Sequence, residues 1–385
     1  MPSSNPIKLA LGSVSLIQPV TGIGQYTLNL SHALADIYNF NINYFYGYEW
    51  SGIGAPKNSP KMSFIKKLLK DIIPRPYDVN RVIQQRAFNA GVKAFRPSLY
   101  HEPSFLPLEF DGPTVITVHD LSHIRFPESH PKERVSTLNR RLPMAIEKAR
   151  CILTDSNFTK QEILKEFSVS ADKVRVAHLG FSYDFYPRLI NDSQLIISKY
   201  KLVANHYVLA VGTLEPRKNL IQAIRAYSLL PKSFAKTYPL VIVGARGWKQ
   251  QDFMKELMPL INDGRARLLG YIPSADLPFL YSAANVLIYP SIYEGFGLPP
   301  LEAMACGTPV ITTNRSSIPE VVADAGFMVE TGDIPATVFA IRTLCEDTTL
   351  HQSLAIRCIK QSTNFSWDKC GRQTYDAYLY ALDRI

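Results

Sequence analysis

The sequence has no run of apolar residues that is long enough to cross a membrane as a helix. About 18 such residues in succession would be needed, and none of the 385 residues lies in such a run. Residues 1–6 also lack the basic and apolar regions of a secretory signal peptide. We therefore expect a cytoplasmic protein without a membrane-spanning segment.

Cysteine is scarce, and its five positions neither form Cys-x-x-Cys pairs nor lie near a group of histidines. We expect reduced core residues, since metal sites and disulfide frameworks show paired spacings. The five are Cys151, Cys306, Cys345, Cys358 and Cys370. A composition of 46% hydrophobic and 19% charged residues excludes a disordered chain, and the length suffices for two domains with separate cores.

Positive charge is concentrated in the first half of the chain. Residues 1–200 contain 24 Lys and Arg against 17 Asp and Glu, whereas residues 201–385 contain 18 against 16. This imbalance favours an anionic partner such as membrane headgroups or a phospholipid-linked molecule. Nucleic acid is the weaker alternative, because no nucleic-acid-binding motif accompanies the charge.

One basic segment, residues 61–73, has apolar side chains at helical spacing and lysines on the opposite face. Two interpretations are open. The segment is either an ordinary amphipathic helix packed on the first sheet or a helix that lies on a membrane surface.

Strand-like and helix-like segments alternate through both halves, which predicts parallel sheets with helices on both faces. Strands are predicted at residues 8–14, 41–46, 98–101, 114–119, 151–155 and 174–178, and then at 207–212, 240–244, 266–270, 285–289 and 308–312. Helices are predicted at 25–36, at 157–167 with Ser156 as N-cap, and at 367–382. The pattern is interrupted near residues 185–204, so we expect an N-terminal domain of residues 1–188 and a C-terminal domain of residues 204–366.

Glu294 and Glu302 enclose a glycine turn that follows a predicted strand and precedes a predicted helix, Leu298 to Ala305. A helix start after such a turn offers free backbone N–H groups to an anion. A carboxylate at its mouth would repel phosphate and is better suited to hydroxyl groups. The combination points to a sugar nucleotide, although the spacing of the two glutamates alone arises often by chance.

Three other motifs lie at strand ends or helix starts. Gly22 and Gly24 precede a helix and would let a ligand approach the backbone closely; a plain surface turn is the alternative. Arg217 and Lys218 stand at a helix start, where the helix dipole disfavours cations. A diphosphate would offset their charge, and a solvated basic turn is the alternative. His119 ends an apolar strand as either a ligand contact or a structural residue.

Together these motifs resemble the retaining family-4 glycosyltransferases, which have the GT-B architecture. The resemblance rests on the Glu294 and Glu302 pair with Gly-Phe-Gly-Leu-Pro between them, and on Ala-Cys-Gly-Thr-Pro-Val at residues 305–310. It implies an α/β fold of two Rossmann-like domains whose parallel sheets face each other across a cleft. The N-terminal domain would bind the acceptor and the C-terminal domain the nucleotide-sugar donor. Residues 367–385 would pack back on the first domain.

The resemblance also implies roles for individual residues. The catalytic set, which would contact the sugar and the diphosphate, comprises His119, Arg217, Lys218 and Glu294. The donor-binding set comprises Gly22, Gly24, Gly212, Thr213, Gly244, Tyr271, Ile272, Phe296, Gly297, Leu298 and Glu302. Glu302 would accept hydrogen bonds from the ribose, and Glu294 would face the sugar hydroxyls. Many members carry Arg where this chain has Thr213, which leaves the diphosphate contacts open.

No Asp-x-Asp pair occurs anywhere in the chain. A diphosphate leaving group is neutralised either by a divalent metal or by fixed cations and helix dipoles. Because the sequence supplies the second set, we predict no metal ligands and no cofactor.

Within the family, the motifs at residues 21–27, 119–123 and 212–219 resemble bacterial mannosyltransferases and rhamnosyltransferases of surface-polysaccharide assembly, such as O-antigen and capsule. The predicted function is transfer of a hexose with retention, from GDP-mannose as the first choice and from dTDP-rhamnose or UDP-glucose as alternatives. The acceptor would be a lipid-linked glycan at the inner face of the cytoplasmic membrane. Two other classes remain open, a non-hydrolysing UDP-GlcNAc 2-epimerase and a non-catalytic scaffold of a polysaccharide-assembly complex.

Overall fold

A computed structural model describes residues 6–17, 20, 22–37, 40–56, 76–245 and 251–383 of the chain. The predicted amphipathic segment 61–73 therefore lies outside the described residues. Among the residues that are described, no helix combines the length and the apolar character that crossing a membrane requires.

The chain forms two compact units. Unit 1 comprises residues 1–121, 133–179 and 367–385, and unit 2 comprises residues 122–132 and 180–366. The first limit thus falls at residue 179 instead of the predicted 188. Residues 122–132, which the sequence assigned to the first domain, group with unit 2.

Unit 1 is built on a seven-stranded sheet in the order β3-β2-β1-β4-β5-β6-β7, with every described pair parallel except β2 with β3. The strands are β1 (Ile7–Gly12), β2 (Phe40–Phe45), β3 (Trp50–Ser51), β4 (Leu99–Glu102), β5 (Thr114–Thr117), β6 (Cys151–Thr154) and β7 (Val174–Val176). The helices are α1 (Gly22–Ile37), α2 (Pro76–Phe95), α4 (Lys132–Lys148), α5 (Asn157–Glu166) and α15 (Trp367–Asp383). Nearly continuous apolar strands such as β6 are buried throughout, as expected when helices cover both faces of a parallel sheet.

The C-terminal helix α15 packs on α1 and β6 within unit 1. Gly371 permits this close approach, because a Cβ at that position would lie 3.1 Å from the Cβ of Ala33. The rings of Tyr375 and Tyr378 meet Phe40 edge to face at 5.9 and 5.8 Å between centroids. The aromatic residues of the helix therefore anchor it beside the start of β2.

Unit 2 contains a six-stranded parallel sheet in the order β10-β9-β8-β11-β12-β13. Its strands are β8 (Val208–Val211), β9 (Leu240–Val243), β10 (Ala266–Gly270), β11 (Val286–Tyr289), β12 (Val310–Thr313) and β13 (Phe327–Val329). Its helices are α3 (Ser122–Arg125), α6 (Ile190–Lys199), α7 (Leu220–Leu229), α8 (Lys232–Thr237), α9 (Gln251–Asn262), α10 (Leu277–Ser282), α11 (Leu298–Ala305), α12 (Ile318–Val322), α13 (Ile334–Glu346) and α14 (Thr348–Ser362).

The predicted strands are confirmed as elements, with differences at their ends. The first strand stops at Gly12 instead of residue 14, because Val14–Leu16 form a 3-10 helix. The first helix begins at Gly22, three residues earlier than predicted. The Ser156 N-cap is confirmed, since its side chain accepts a hydrogen bond from the Thr159 amide.

Candidate active site

The sheet of unit 2 changes its winding direction between β8 and β11. The chain adds β9 and β10 on one side of β8, and then β11, β12 and β13 on the other side. Loops that leave two such neighbouring strands diverge, and ligands of open α/β sheets bind in the crevice between them. Here the two loops are residues 212–219 and 290–297, and both contain predicted site residues.

Three of the predicted catalytic side chains form one buried ion-pair cluster on these loops. Lys218 Nζ donates to Glu294 Oε1 over 2.6 Å, and Arg217 Nη1 donates to Glu294 Oε2 over 3.1 Å. Arg217 Nη2 also pairs with Glu215 Oε1 at 2.8 Å. The side chains of Arg217, Lys218 and Glu294 are only 14%, 12% and 8% exposed, so water screens these charges little.

Two residues that the sequence analysis missed complete the cluster. The Tyr289 hydroxyl donates to Glu294 Oε1 over 2.6 Å and accepts from Lys218 Nζ over 2.8 Å. The Ser291 hydroxyl lies 2.6 Å from the same Oε1 atom. Their position at the carboxyl end of β11 could have identified both residues, because the same kind of position identified His119 after β5. Tyr289 was missed because it was counted only as one of the apolar residues of a predicted strand.

The cluster fixes the protonation of Glu294. Burial alone would raise the pKa of its carboxyl, but the charges of Lys218 and Arg217 and the hydrogen bonds lower that pKa to about 2. Burial lowers the pKa of Lys218, and the carboxylate of Glu294 opposes this. Each charge therefore depends on the other to remain ionised at this buried position.

The structure corrects one step of the sequence argument. A diphosphate was expected to offset the charges of Arg217 and Lys218, but Glu215 and Glu294 already do so. The two cations also lie in a 3-10 turn, Pro216–Lys218, that ends before α7 begins at Leu220. They are therefore not in the first turn of the helix, where the dipole penalty was invoked.

Glycines end three neighbouring strands of unit 2 and leave their edge without side chains. Gly212 and Gly244 have positive φ angles of 151° and 157°, and Gly270 has a φ of 72°. A Cβ on Gly244 would lie 1.9 Å from the carbonyl oxygen of Gly212, so only glycine fits there. Thr213 is exposed next to this edge. Gly212, Thr213 and Gly244 belong to the predicted donor-binding set.

Two of the predicted donor-binding residues, Tyr271 and Ile272, lie beyond this edge and differ in exposure. Tyr271 is 77% exposed directly after β10, whereas Ile272 is only 3% exposed. Tyr271 can offer its ring to a ligand. Ile272 contributes its side chain to the core, and a ligand would reach only its backbone.

The start of α11 offers amide donors only as far as Leu298. Gly297 takes a left-handed conformation with φ 118° as the N-cap, and Leu298 is the first helical residue. Pro299 and Pro300 follow and have no N–H. The Phe296 side chain is 4% exposed and packs edge to face with another ring of unit 2. Any anion at this helix start therefore depends on the amides of the turn and of Leu298.

Glu302 projects from the second turn of α11 and is part-buried. It accepts a hydrogen bond from the Tyr281 hydroxyl over 3.1 Å. Burial raises the pKa of its carboxyl to about 7, against the smaller effect of the tyrosine. Glu302 therefore changes charge near neutral pH, unlike Glu294.

In unit 1 the winding direction changes between β1 and β4. Glu102 ends β4 and fills the space beside Gly12 at the end of β1, where a Cβ would lie 2.3 Å from its Oε2 atom. Gly22 and Gly24 lie in the first turn of α1 instead of a preceding loop. A Cβ on Gly22 would meet no other atom within 4 Å, whereas a Cβ on Gly24 would lie 2.4 Å from the Ser15 carbonyl oxygen.

His119 follows β5, and protein atoms bind both of its ring nitrogens. Nδ1 lies 2.7 Å from Asp155 Oδ2, and Nε2 lies 2.8 Å from the Pro103 carbonyl oxygen. Burial lowers the pKa of His119, but the charge and hydrogen bond of Asp155, the hydrogen bond to Pro103 and the charge of Asp120 together raise it overall. The predicted contact of this ring with a sugar hydroxyl would have to replace or share one of these bonds.

A second buried histidine, His101 of β4, was missed by the sequence analysis. Its Nδ1 lies 2.7 Å from the Tyr378 hydroxyl, and its Nε2 lies 2.8 Å from the Thr117 hydroxyl. Burial, with a smaller contribution from His119, lowers its pKa to about 3. His101 is therefore neutral and ties α15 to the sheet.

Two family models match almost the whole chain. A model described as Glycosyltransferase Family 4 matches residues 20–185, and one described as Glycosyl transferases group 1 matches residues 194–364. The chain is 35% identical to O-antigen chain mannosyltransferase B of Escherichia coli over 97% of this chain and 99% of that protein. It is 31% identical to O-antigen chain mannosyltransferase RfbU of Salmonella typhimurium over 60% of each chain.

Solved structures show the same architecture. Sucrose-phosphate synthase from Thermosynechococcus elongatus superposes with a TM-score of 0.75 at 20% identity, covering 98% of this chain and all of that one. At this identity the likeness concerns the fold alone. The fold is GT-B, with two α/β units built on parallel sheets.

Proposed function

Since the chain belongs to the family-4 glycosyltransferases, we propose that it transfers mannose from GDP-mannose to a hydroxyl of a lipid-linked glycan during synthesis of a bacterial surface polysaccharide. The buried cluster of Arg217, Lys218 and Glu294 at the ends of β8 and β11 carries this proposal. The names of two relatives, both O-antigen mannosyltransferases, support mannose as the sugar.

The cations of the cluster would stabilise the leaving diphosphate. An ammonium group has three N–H bonds, and those of Lys218 toward Glu294 and Tyr289 leave one for a phosphate oxygen. Fixed charges that need no reorganisation stabilise a developing anion effectively in a buried site. On this basis we propose that neither a metal ion nor a cofactor is required.

Glu294 would orient the sugar and would not attack it. Its Oε1 atom already accepts from Lys218, Tyr289 and Ser291, whereas its Oε2 atom accepts from Arg217. A carboxylate oxygen has about two acceptor positions, and Oε2 uses one of them for Arg217, so Oε2 can accept one sugar hydroxyl. A carboxylate held by two cations is a poor nucleophile.

We therefore propose a front-face transfer with retention of the anomeric configuration. The bond from the anomeric carbon to the diphosphate oxygen would break as the bond to the acceptor oxygen forms. The departing phosphate oxygen would take the proton of the acceptor hydroxyl.

The remaining donor contacts follow the exposed edge of unit 2. The nucleotide would lie along the strand-end residues Gly212, Thr213, Gly244, Tyr271 and Ile272, and along Phe296, Gly297 and Leu298 at the start of α11. Glu302 would hold the ribose hydroxyls. In unit 1, Gly22, Gly24 and His119 would serve the sugar and the diphosphate, and the basic first half would favour a position at the inner membrane face.

A ligand screen followed by product analysis tests these proposals. Thermal unfolding with GDP, UDP or dTDP identifies the base, because a nucleotide at a hundred times its Kd adds about 2.7 kcal/mol of stability. We expect GDP to stabilise the protein most, and α-mannoside formation from GDP-α-mannose in the presence of EDTA. A β-mannoside would refute retention, and loss of turnover in EDTA would refute metal independence. Conversion of a donor without any acceptor would favour an epimerase.

A further inference from the structure

The hydrogen bonds of His119 determine where its protons lie. The Pro103 carbonyl oxygen can only accept, so the Nε2 atom, 2.8 Å away, must carry a hydrogen. The Asp155 carboxylate lies 2.7 Å from Nδ1 and also accepts when it is ionised. Burial raises the pKa of the Asp155 carboxyl, and the charge and hydrogen bond of His119 oppose that rise. A base needs a bare ring nitrogen, and the ionised pair leaves none.

The Pro103 carbonyl is held in place by the residues on either side of it. Glu102 Oε1 accepts from the Ser104 amide over 3.1 Å and from the Ser104 hydroxyl over 2.6 Å. Glu102 Oε2 accepts from the Tyr100 hydroxyl over 2.8 Å. The acceptor that faces Nε2 therefore lies in a short turn closed by a buried carboxyl group.

Two aromatic rings pack against the His119 ring. Tyr26 and Phe105 meet it edge to face at 4.9 and 5.9 Å between ring centroids, at angles of 84° and 73°.

The ionisable groups that act on this pair come from several elements of unit 1. They are Asp155 after β6, Asp120 after β5, His101 on β4, Tyr26 on α1, Cys370 on α15 and His178 after β7. Of these, His101 is kept neutral, because its pKa lies at about 3. Asp155 makes the ion pair to the ring at 2.7 Å.

We propose that Asp155 is a positioning residue which, with the Pro103 carbonyl, keeps both ring nitrogens of His119 protonated. The ring then serves the transfer as a fixed positive charge and does not accept a proton. The role of this charge in transfer rests on the function proposed above. The protonation of both ring nitrogens does not depend on that function.

Nitrogen NMR of the histidine side chains tests the proton positions without any assay of transfer. In the full-length protein labelled with 15N-histidine, loss of one ring in the His119→Gln variant assigns the signals. At pH 7.5 we expect both nitrogens of His119 to be protonated. Asp155→Asn should move the titration of this ring to lower pH. The comparison Asp120→Asn removes a charge but no hydrogen bond to the ring, and it should move the titration less.

One bare ring nitrogen in the wild-type protein at pH 7.5 would overturn the proposal, and so would a titration that Asp155→Asn leaves unchanged. If Asp155→Asn does not fold, the wild-type spectrum alone decides. In the transfer assay, kcat of Asp155→Asn should begin to fall at a lower pH than kcat of the wild-type protein as the pH is raised. Two protonated nitrogens in a protein without transferase activity would refute the proposed function and leave the assignment of Asp155 intact.

Discussion

Lys218 and Glu294 form a buried ion pair in which Nζ and Oε1 are 2.6 Å apart. The two residues are far apart in sequence and are brought together by the neighbouring strands β8 and β11. Each side chain would be costly to bury alone, because an isolated charge loses its hydration. The pair thus links the stability of unit 2 to the charges that the proposed reaction uses.

Removing one member of this pair should destabilise the protein and abolish turnover. Breaking a buried ion pair by truncating one partner typically costs about 3–5 kcal/mol. We expect Glu294→Ala and Lys218→Ala each to lower the free energy of unfolding by that order and turnover by several orders of magnitude. The double variant Lys218→Ala with Glu294→Ala should lose less stability than the two single losses combined, since it leaves neither charge of the pair without its partner. The free energies of unfolding are measured by denaturant titration. A loss in the double variant equal to the sum of the two single losses would contradict the ion pair.

Tyr289→Phe should impair transfer more than its effect on folding explains. Its hydroxyl bonds both Lys218 and Glu294, and hydrogen bonds to charged groups contribute about 1.5–3 kcal/mol. Tyr207→Phe is the matched control, because Tyr207 is equally buried in unit 2 and donates to the Leu280 carbonyl. We expect both variants to lose thermal stability, with the larger loss in Tyr289→Phe, but a fall in kcat only for Tyr289→Phe. Equal kcat values for the two variants would show that the Tyr289 hydroxyl has no role in transfer.

Gly244→Ala should disrupt the glycine edge of unit 2. Its new Cβ would collide with the Gly212 carbonyl oxygen at 1.9 Å, so the backbone of one strand end must move. Gly264→Ala provides the control, because it has a positive φ of 79° but open space around it and should cost only about 1–2 kcal/mol. Nucleotide binding measured by calorimetry should be lost in Gly244→Ala and retained in the control. Retained affinity in Gly244→Ala would place the nucleotide elsewhere.

Nucleotide affinity should rise with pH through about 7, the pKa of Glu302. The ionised carboxylate accepts hydrogen bonds from a ribose diol more strongly than the protonated carboxyl does. Glu302→Gln should remove this dependence, and Glu330→Gln, whose side chain is 62% exposed, should retain it. A pH-independent affinity in the wild-type protein would contradict the ribose contact.

The Glu302 carboxyl also makes folding stability depend on pH, and stability should fall as pH rises whereas nucleotide affinity should rise. The folded pKa of Glu302, about 7, lies above its ordinary value of 4.5. Between these values the folded state holds a proton that the unfolded state releases, so this contribution to stability falls as pH rises. Unfolding curves of wild-type and Glu302→Gln proteins should therefore diverge between pH 4.5 and 7.

The sequence predicted the strands well because β6, β8 and β11 are apolar throughout, and it located α11 from Leu298 to Ala305. It did not predict β3 or β13, which are only two and three residues long. An edge strand this short need not show a periodicity of its own, although β7, which is also a three-residue edge strand, was predicted.

The individual site residues were also accessible from sequence, but their pairing was not. Arg217, Lys218 and Glu294 were each identified, yet the pairing depends on β8 lying beside β11, which no local pattern records. Asp155 was included only as the end of a predicted strand. Its role became visible from its bond to His119, 36 residues away.

The most direct test of the account is transfer of mannose by the purified protein in the presence of EDTA. Mass spectrometry would follow GDP-mannose and a lipid-linked glycan acceptor, with Lys218→Ala and Glu294→Ala as comparisons. The account predicts that the wild-type acceptor gains one or more hexose units, and that both variants leave it unchanged. An unmodified acceptor with the wild-type protein, or wild-type turnover in either variant, would contradict it.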